Sequence, residues 1–227
     1  ISKRVDYWTA NSKYIAKKIK KRYGVDATVI YPGISKESFE NISEERKTEI
    51  REKYDIEGDF VLVVSRLYDY KRVDWAIRAC IESGKQLVII GEGPDMRYLK
   101  RVSGGNPLVK FLGFLDDDTE VRVFYNMADV LLFCGVEDFG LVPVEAMAQG
   151  TAVFAYEQGG VLETVNRGVC GEFFKSEKDL VKLLKKFSNR GYNPREISKR
   201  AMEFTEEKFL DNLGEYIKKV YDTEREK

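Results

Sequence analysis

Short runs dominated by apolar residues, separated by segments of helical character, constrain the fold of this 227-residue chain more than any other feature. Such runs of four or five residues are typical of strands buried on both faces, as in a parallel sheet. Their alternation with helical segments predicts an α/β fold with a doubly wound, Rossmann-like parallel sheet. The runs cover residues 60–64, 86–90, 109–112, 129–133 and 151–155.

Further elements follow from capping residues and apolar spacing. Asn11 or Ser12 opens a first helix and Gly24 ends it, Ser43 caps a second helix, and Asp117 or Asp118 opens one that ends near Ala128. Strands are predicted near 5–10, 27–31 and 172–174, and the charged tail after residue 221 is expected to fray. The remaining helices are predicted at 73–81, 94–102 (beginning at Pro94), near 160, and at 178–189, 194–204 and 206–221.

Composition excludes several classes of protein. The chain has 38 basic and 38 acidic side chains, so its net charge of zero argues against nucleic-acid binding through bulk charge. It has no histidine, which rules out Ser-His-Asp triads, Cys-His dyads and histidine metal sites within these residues. The three cysteines, Cys80, Cys134 and Cys170, form no CxxC pair and are interpreted as buried thiols of a reduced compartment. No apolar run reaches membrane-spanning length.

The stretch from residue 137 to 150 (EDFGLVPVEAMAQG) lies between two predicted strands and carries the main chemical signal. Pro143 suits the first position of a helix, which would place Glu145 third and leave the N–H groups of Leu141, Val142 and Val144 unpaired. A helix start at the carboxyl end of a parallel strand suits an anion, and flanking carboxylates suit hydroxyl groups. The combination indicates a sugar phosphate. Alternatively, Glu145 caps its own helix, and Glu137 and Asp138 are solvated loop charges.

Two cations follow the first strand of the predicted sheet. Arg66 and Lys71 would lie at the carboxyl edge of the sheet, where open α/β folds bind ligands. A diphosphate requires two or more positive charges, and arginine offers it planar, bidentate contacts. The alternative is a surface ion pair with Asp69 or Asp74.

Three other motifs are weaker. Gly91-x-Gly93 lacks the third glycine of a dinucleotide fingerprint, because Met96 stands there, which disfavours a redox dinucleotide enzyme. Residues 116–118 (DDD) are interpreted as a helix cap rather than a metal site. Gly159 and Gly160 indicate a close approach of backbone to a ligand or to a facing domain.

Two motifs together resemble the donor-site signature of retaining glycosyltransferases of family 4, or group 1. They are Glu-x7-Glu, which encloses Phe-Gly, and the run 158–165 (QGGVLETV). These enzymes have the GT-B fold, in which two Rossmann-like domains face each other across a cleft. The run 137–146 is especially similar to mannosyltransferases of the O-antigen type, and the resemblance extends from about residue 5 to 209. It implies a lead-in segment over 1–34, a donor-binding domain over 35–204, and a final helix over 205–227 that packs toward an N-terminal domain. The chain begins at Ile1, and we expect it to be a fragment.

The resemblance also assigns roles to residues. Arg66 and Lys71 would hold the pyrophosphate, Glu145 the ribose hydroxyls, and Glu137 a hydroxyl of the donor sugar. Glu137, Arg66 and Lys71 form the expected catalytic group, and no metal or cofactor is required. The remaining donor-binding positions are Gly91, the backbone N–H groups of Phe139, Gly140, Leu141 and Val142, and Leu115 with Asp117 beside the base.

The reaction implied is retaining hexosyl transfer from a nucleoside diphosphate sugar. The resemblance to mannosyltransferases implies GDP-mannose as the favoured donor, with a UDP-sugar as the alternative. Asp117 offers a chemical reason, because its carboxylate could accept both N–H donors of the guanine edge, unless it caps the helix that follows. The acceptor would be a glycan or a lipid-linked glycan bound through the N-terminal domain. We expect a cytoplasmic protein, with peripheral association at the inner face of the cell membrane. Two alternatives remain: a nucleotide-binding module inactive on its own, and another GT-B activity such as UDP-sugar epimerisation.

Overall fold

A computed structural model describes residues 5–187 and 191–226 of the chain. It contains a six-stranded sheet and a separate two-stranded sheet. All pairings in both sheets are parallel. The strands are β1 (Thr9–Ala10), β2 (Thr28–Val29), β3 (Val61–Val64), β4 (Leu87–Ile90), β5 (Val109–Gly113), β6 (Val130–Phe133), β7 (Ala152–Tyr156) and β8 (Gly171–Phe174).

The large sheet has the order β5-β4-β3-β6-β7-β8. Strand β3 therefore lies at the centre, with the next two strands added on one side and the last three on the other. Its register pairs Val61 with Leu87 of β4 and with Val130 of β6. The predicted doubly wound parallel sheet is confirmed, and its point of reversal lies between β3 and β6.

Helices cover both faces of this sheet, because its strands are apolar on both sides. One face carries α3 (Val73–Ser83), α4 (Met96–Ser103) and α8 (Glu177–Lys186), and the last two both pack on α3. The other carries α2 (Glu44–Tyr54), α5 (Asp118–Met127), α6 (Leu141–Ala148) and α9 (Pro194–Ala201). The core between the layers contains the three cysteines, which are buried free thiols as predicted.

Residues 9–29 form a small βαβ unit. Helix α1 (Lys13–Tyr23) connects β1 to β2; Ser12 caps its start and Gly24 ends it in the left-handed conformation, as predicted. The chain then enters the large domain at Ile34. There the N–H of Ile34 donates to the carbonyl of Phe204, and the N–H of Glu206 donates to the carbonyl of Ile34, both at 2.9 Å.

Several predicted boundaries differ from the structure. Helix α4 begins at Met96, because Pro94 occupies a turn in which the Asp95 N–H donates to the Leu67 carbonyl at 3.1 Å. The last helix, α10 (Glu206–Arg225), continues through the tail that was expected to fray, where the Tyr7 hydroxyl donates to Glu224. Helix α8 ends at Lys186, and the predicted end at residue 189 lies outside the described residues. A four-residue helix, α7 (Val161–Thr164), follows Gly160.

Candidate functional site

The sequence-predicted site residues, with the exception of Asp117, converge where the order of the sheet reverses. The loops that leave β3 and β6 diverge because their helices, α3 and α6, lie on opposite faces of the sheet, and they leave a crevice between the carboxyl ends of the strands. Two cavities open there, and both are lined by Val64, Ser65, Arg66 and Val142. The loop cavity, about 620 Å³, lies between the two loops, and the side cavity, about 500 Å³, extends toward β4, β5 and α5.

Helix α6 begins two residues earlier than predicted. Gly140 precedes it with a φ of 93°, a conformation that favours glycine, and Leu141 is its first residue. The first turn leaves the N–H groups of Leu141 and Val142 without an intrahelical acceptor, and both residues line the loop cavity. Pro143 is the third residue, where its missing N–H still costs nothing. Val144 is the fourth, whose N–H has a helical acceptor, so the predicted free N–H of Val144 is wrong.

Glu145 is the fifth residue of α6, beyond the position from which a side chain caps its own helix. Its Oε2 accepts a hydrogen bond from the Tyr125 hydroxyl at 2.9 Å, and it lines the side cavity. Burial raises the pKa of Glu145, the Tyr125 hydrogen bond lowers it, and the nearby Asp118 carboxylate raises it further. The capping alternative is therefore wrong, and a partly desolvated carboxylate faces the cavity.

Lys71 and Glu137 form an ion pair across the loop cavity. The Lys71 side chain is 12% exposed, and burial, followed by the neighbouring Arg66 guanidinium, lowers its pKa, whereas the contact with Glu137 favours the protonated amine. The predicted alternative partners are engaged elsewhere: Asp74 with Arg78 at 2.7 Å, and Asp69 with the N–H of Tyr70 at 2.6 Å. Glu137 is consequently not a solvated loop charge, and two cations and one carboxylate meet at the edge of the sheet.

The side cavity has an apolar entrance. Gly91, with a φ of 125°, and Leu115 line it beside the exposed ring of Phe114. Asp118 lines it as well, whereas Asp117 is not among the lining residues.

Asp117 is instead the N-cap of α5. It accepts a hydrogen bond from the Thr119 N–H at 2.8 Å, its side chain is 53% exposed, and it lies 3.9 Å from the Arg46 guanidinium. The hydrogen bond from Thr119 lowers the pKa of Asp117. The capping interpretation of residues 116–118 is thus confirmed, and the carboxylate that faces the cavity is the next one along the chain.

The loop cavity has a second wall that sequence reasoning missed. Asn11, from the small βαβ unit, and Pro32, just after that unit, line it opposite Lys71 and Glu137. Asn11 follows β1, and Pro32 comes three residues after β2, so carboxyl ends of parallel strands face the cavity from both sides. The sequence does predict strands at 5–10 and 27–31. Parallel pairing of these two strands would have indicated the second wall.

Gly159 and Gly160 approach the loop that carries Glu137. The Gly160 N–H donates to the Glu137 carbonyl at 2.9 Å, and a Cβ on Gly160 would lie 2.5 Å from the Cα of Phe139. Over 5–187 and 191–226, no cluster of acidic and cysteine side chains suited to a metal ion is found. None of the helices in those ranges combines the length and the apolar character needed to cross a bilayer.

Comparison with known proteins is consistent with this geometry. The family model described as "Glycosyl transferases group 1" matches residues 46–204. An uncharacterized glycosyltransferase of Methanocaldococcus jannaschii is 36% identical over 154 residues, which span 63% of this chain and 39% of that protein. A GDP-mannose-dependent alpha-(1-6)-phosphatidylinositol monomannoside mannosyltransferase of Mycobacterium tuberculosis is 30% identical over 185 residues, 73% of this chain and 48% of the relative.

A solved structure shows the same fold at lower identity. The Anabaena protein Alr3699/HepE, in complex with UDP-glucose, aligns with a TM-score of 0.81 and 21% identity over 95% of this chain and 64% of that one. The fold is that of GT-B glycosyltransferases. This chain spans less than two thirds of the length of each of these three proteins.

Proposed function

Because this chain belongs to the group 1 glycosyl transferases, we propose that it binds a nucleoside diphosphate sugar and serves as the donor side of a hexosyl transfer. The observation that carries the proposal is the meeting of Arg66, Lys71 and the start of α6 in one crevice at the reversal of the sheet, between two carboxylates. Cations and free N–H groups suit a diphosphate, and carboxylates suit sugar hydroxyls.

The two cavities match the two ends of such a donor. In the proposal, the diphosphate lies in the loop cavity against Arg66, Lys71 and the N–H groups of Leu141 and Val142. The nucleoside lies in the side cavity, with its ribose hydroxyls on Glu145, which Tyr125 holds in place. The remaining backbone of the loop, at Phe139 and Gly140, would meet oxygens of the donor sugar.

Glu137 has a double role in this proposal. It neutralises Lys71 before the donor binds and accepts a hydrogen bond from a sugar hydroxyl afterwards. Charge develops on the departing diphosphate in the transition state, where Arg66, Lys71 and the α6 dipole stabilise it. We propose transfer with retention at the anomeric carbon, by a front-face route in which the leaving phosphate takes the proton of the acceptor hydroxyl, as in the retaining family 4 enzymes that the sequence resembles.

For the donor we propose GDP-mannose, with a UDP-sugar as the second candidate. The mycobacterial relative is named as GDP-mannose-dependent, whereas the Anabaena structure holds UDP-glucose, so relatives support both bases. Guanine presents two N–H donors on one edge, which a single carboxylate accepts in parallel. Asp118 is the acidic side chain of residues 116–118 that lines the side cavity, so it replaces Asp117 as the residue proposed to contact the base.

The acceptor side of the proposal rests on the greater length of the relatives. We propose that a glycan or lipid-linked acceptor binds through a region beyond residues 35–204, with the lead-in 1–34 and α10 on that side and the whole protein at the inner face of a membrane. Helix α10 supports this because it has no buried residue within the described chain and exposes Leu210, Ile217 and Tyr221 at 56%, 58% and 61%. The mycobacterial relative, by its name, acts on a phosphatidylinositol glycolipid.

Binding of donors to this chain tests the proposal directly. Calorimetric titration with GDP-mannose, UDP-glucose and ADP-glucose should give saturable binding of at least one of them, and GDP-mannose should bind most tightly. If UDP-glucose binds more tightly than GDP-mannose, the assignment of guanine as the base is wrong, but the proposed role in donor binding stands. Absence of binding for all three, with a cooperatively folded protein, would refute the proposed function.

A further inference from the structure

The width of the loop cavity depends on how two separate parts of the chain are held together. One wall is formed by the loops after β3 and β6 of the large sheet, and the other by Asn11 of the small βαβ unit and Pro32 just after it. The strands of these two walls belong to different sheets, so no strand pairing fixes the distance between them. Other contacts have to set that distance, and one of them is the Tyr31 ring, whose centroid lies 5.8 Å from that of Phe139 in the loop after β6.

Glu163, on the four-residue helix α7, holds the start of α1 from 150 residues away. Its Oε2 accepts from the Lys13 N–H at 2.8 Å, and its Oε1 accepts from the Tyr14 N–H at 2.9 Å. The next N–H, of Ile15, donates to the Ser12 hydroxyl at 3.1 Å. The first three N–H groups of α1 are therefore satisfied by two caps, one local and one supplied across the fold.

The same carboxylate also contacts the segment that follows β2. The Tyr31 hydroxyl donates to Glu163 Oε2 at 2.9 Å, one residue before the Pro32 that lines the cavity. Burial, together with this hydrogen bond, raises the pKa of Tyr31 to about 12. Tyr31 therefore remains a neutral donor at physiological pH. Glu163 thus fixes the βαβ unit beside both residues that form the second wall, Asn11 and Pro32.

The other contacts of α7 fix it to the large domain. At its start, the Gly160 N–H donates to the carbonyl of Glu137, the residue whose side chain faces Lys71 in the cavity. At its end, the Arg200 guanidinium donates to the carbonyls of Thr164 at 2.9 Å and Glu163 at 2.5 Å. A short helix is therefore connected to both walls of the loop cavity, by backbone on one side and by the Glu163 carboxylate on the other.

We infer that Glu163 is a positioning residue that sets the separation between Asn11 and the Lys71–Glu137 pair, and thereby the fit of the loop cavity to the diphosphate and sugar of the donor. The inference rests on the proposed function. The nucleoside is assigned to the side cavity, whose lining residues all come from 64–145 and none from the βαβ unit. Loss of the Glu163 contacts should therefore weaken binding of a diphosphate sugar and leave nucleoside binding unchanged.

The test compares Glu163→Gln with Glu82→Gln, a control that removes the charge of an exposed carboxylate paired with Lys185. Hydrogen exchange first reports on the capping contact without any ligand: the amides of Lys13 and Tyr14 should exchange about 5- to 10-fold faster in Glu163→Gln. Titration then reports on the cavity: affinity for GDP-mannose should fall about 10-fold, while affinity for guanosine should stay within about twofold. If UDP-glucose is the ligand that wild type binds, it is used with uridine instead.

Tyr31→Phe, which removes one of the three hydrogen bonds to the Glu163 carboxylate and keeps the ring, provides a second variant if Glu163→Gln does not fold. It should lower sugar nucleotide affinity in the same direction by a smaller factor. Unchanged amide exchange at Lys13 and Tyr14 would overturn the capping role. Faster exchange with an unchanged ratio of sugar nucleotide to nucleoside affinity would overturn the positioning role. Failure of the wild-type protein to bind any nucleotide sugar would instead refute the proposed function, whatever the exchange rates show.

Discussion

Glu145→Gln separates ligand binding from stability more cleanly than any other substitution in the site. Glutamine keeps the shape of the side chain and an oxygen that can accept from the Tyr125 hydroxyl, which lies 2.9 Å from the carboxylate. It removes the charge that would strengthen hydrogen bonds from ribose hydroxyls. Hydrogen bonds to charged groups contribute about 1.5–3 kcal/mol, so affinity for a nucleotide should fall about 10- to 100-fold.

Stability should move in the opposite direction. Burial raises the pKa of Glu145 above its value in the unfolded chain, which means that ionisation of this carboxyl opposes folding. The stability contributed by the protonated carboxyl is fully present below the unfolded pKa and is lost as pH rises through the folded pKa. At neutral pH, Glu145→Gln should therefore be at least as stable as wild type. The free energy of unfolding of wild type should fall as pH rises from the unfolded pKa to the folded pKa of Glu145, and that of the variant should not show this fall.

The assay pairs calorimetric titration with denaturant melts at neutral pH and at about pH 4, near the ordinary pKa of a glutamate. A nucleotide lacking both ribose hydroxyls is the matched ligand control, because wild type and variant should bind it with similar affinity, and Glu82→Gln is the matched protein control. A variant that loses stability and keeps its affinity would refute the reasoning, since that result is expected of a purely structural carboxylate.

Four other substitutions test the rest of the site. Arg66→Ala and Lys71→Ala should each weaken binding of a nucleoside diphosphate about 10-fold or more, from loss of a charged contact, and leave nucleoside binding within about twofold; equal losses in calorimetric titration of the two ligands would contradict the assignment to phosphate. Asp118→Asn should reduce the preference for GDP over UDP, whereas Asp117→Ala, which removes the cap of α5, should lower the melting temperature and keep that preference. The opposite pattern in GDP and UDP titrations and melts would return the base contact to Asp117.

The fold could be predicted because the apolar runs and the capping residues of the sequence indicate the same elements. Runs such as 60–64 and 129–133 are short and apolar, which favours strands buried on both faces, and the helices begin at recognisable caps such as Ser43. The tail failed as a prediction because its charge was taken as evidence against structure. In the structure, α10 continues to Arg225, and its last turns contact Tyr7, more than 200 residues away in sequence.

The site could be predicted at the level of loops but not of contacts. Parallel strands bring Lys71 and Glu137 to the same edge of the sheet, yet no spacing rule indicates that the two side chains touch. Asp117 and Asp118 differ by one position, and near a helix start one position turns a side chain by about 100°, from the cap to the cavity. The partners of Glu163 lie 132 to 150 residues away, beyond any local pattern.

The ion pair of Lys71 and Glu137 has a consequence for how any affinity measured at this site is interpreted. The pocket contains an anion of its own, the Glu137 carboxylate, so a diphosphate that bound as proposed would replace this carboxylate as the partner of Lys71. The measured affinity is then the difference between two ion pairs. A small free anion gains Lys71 but leaves Glu137 without a partner, whereas a ligand with a phosphate and a hydroxyl group at the right separation satisfies both. We therefore expect the pocket to select ligands that carry the two groups together.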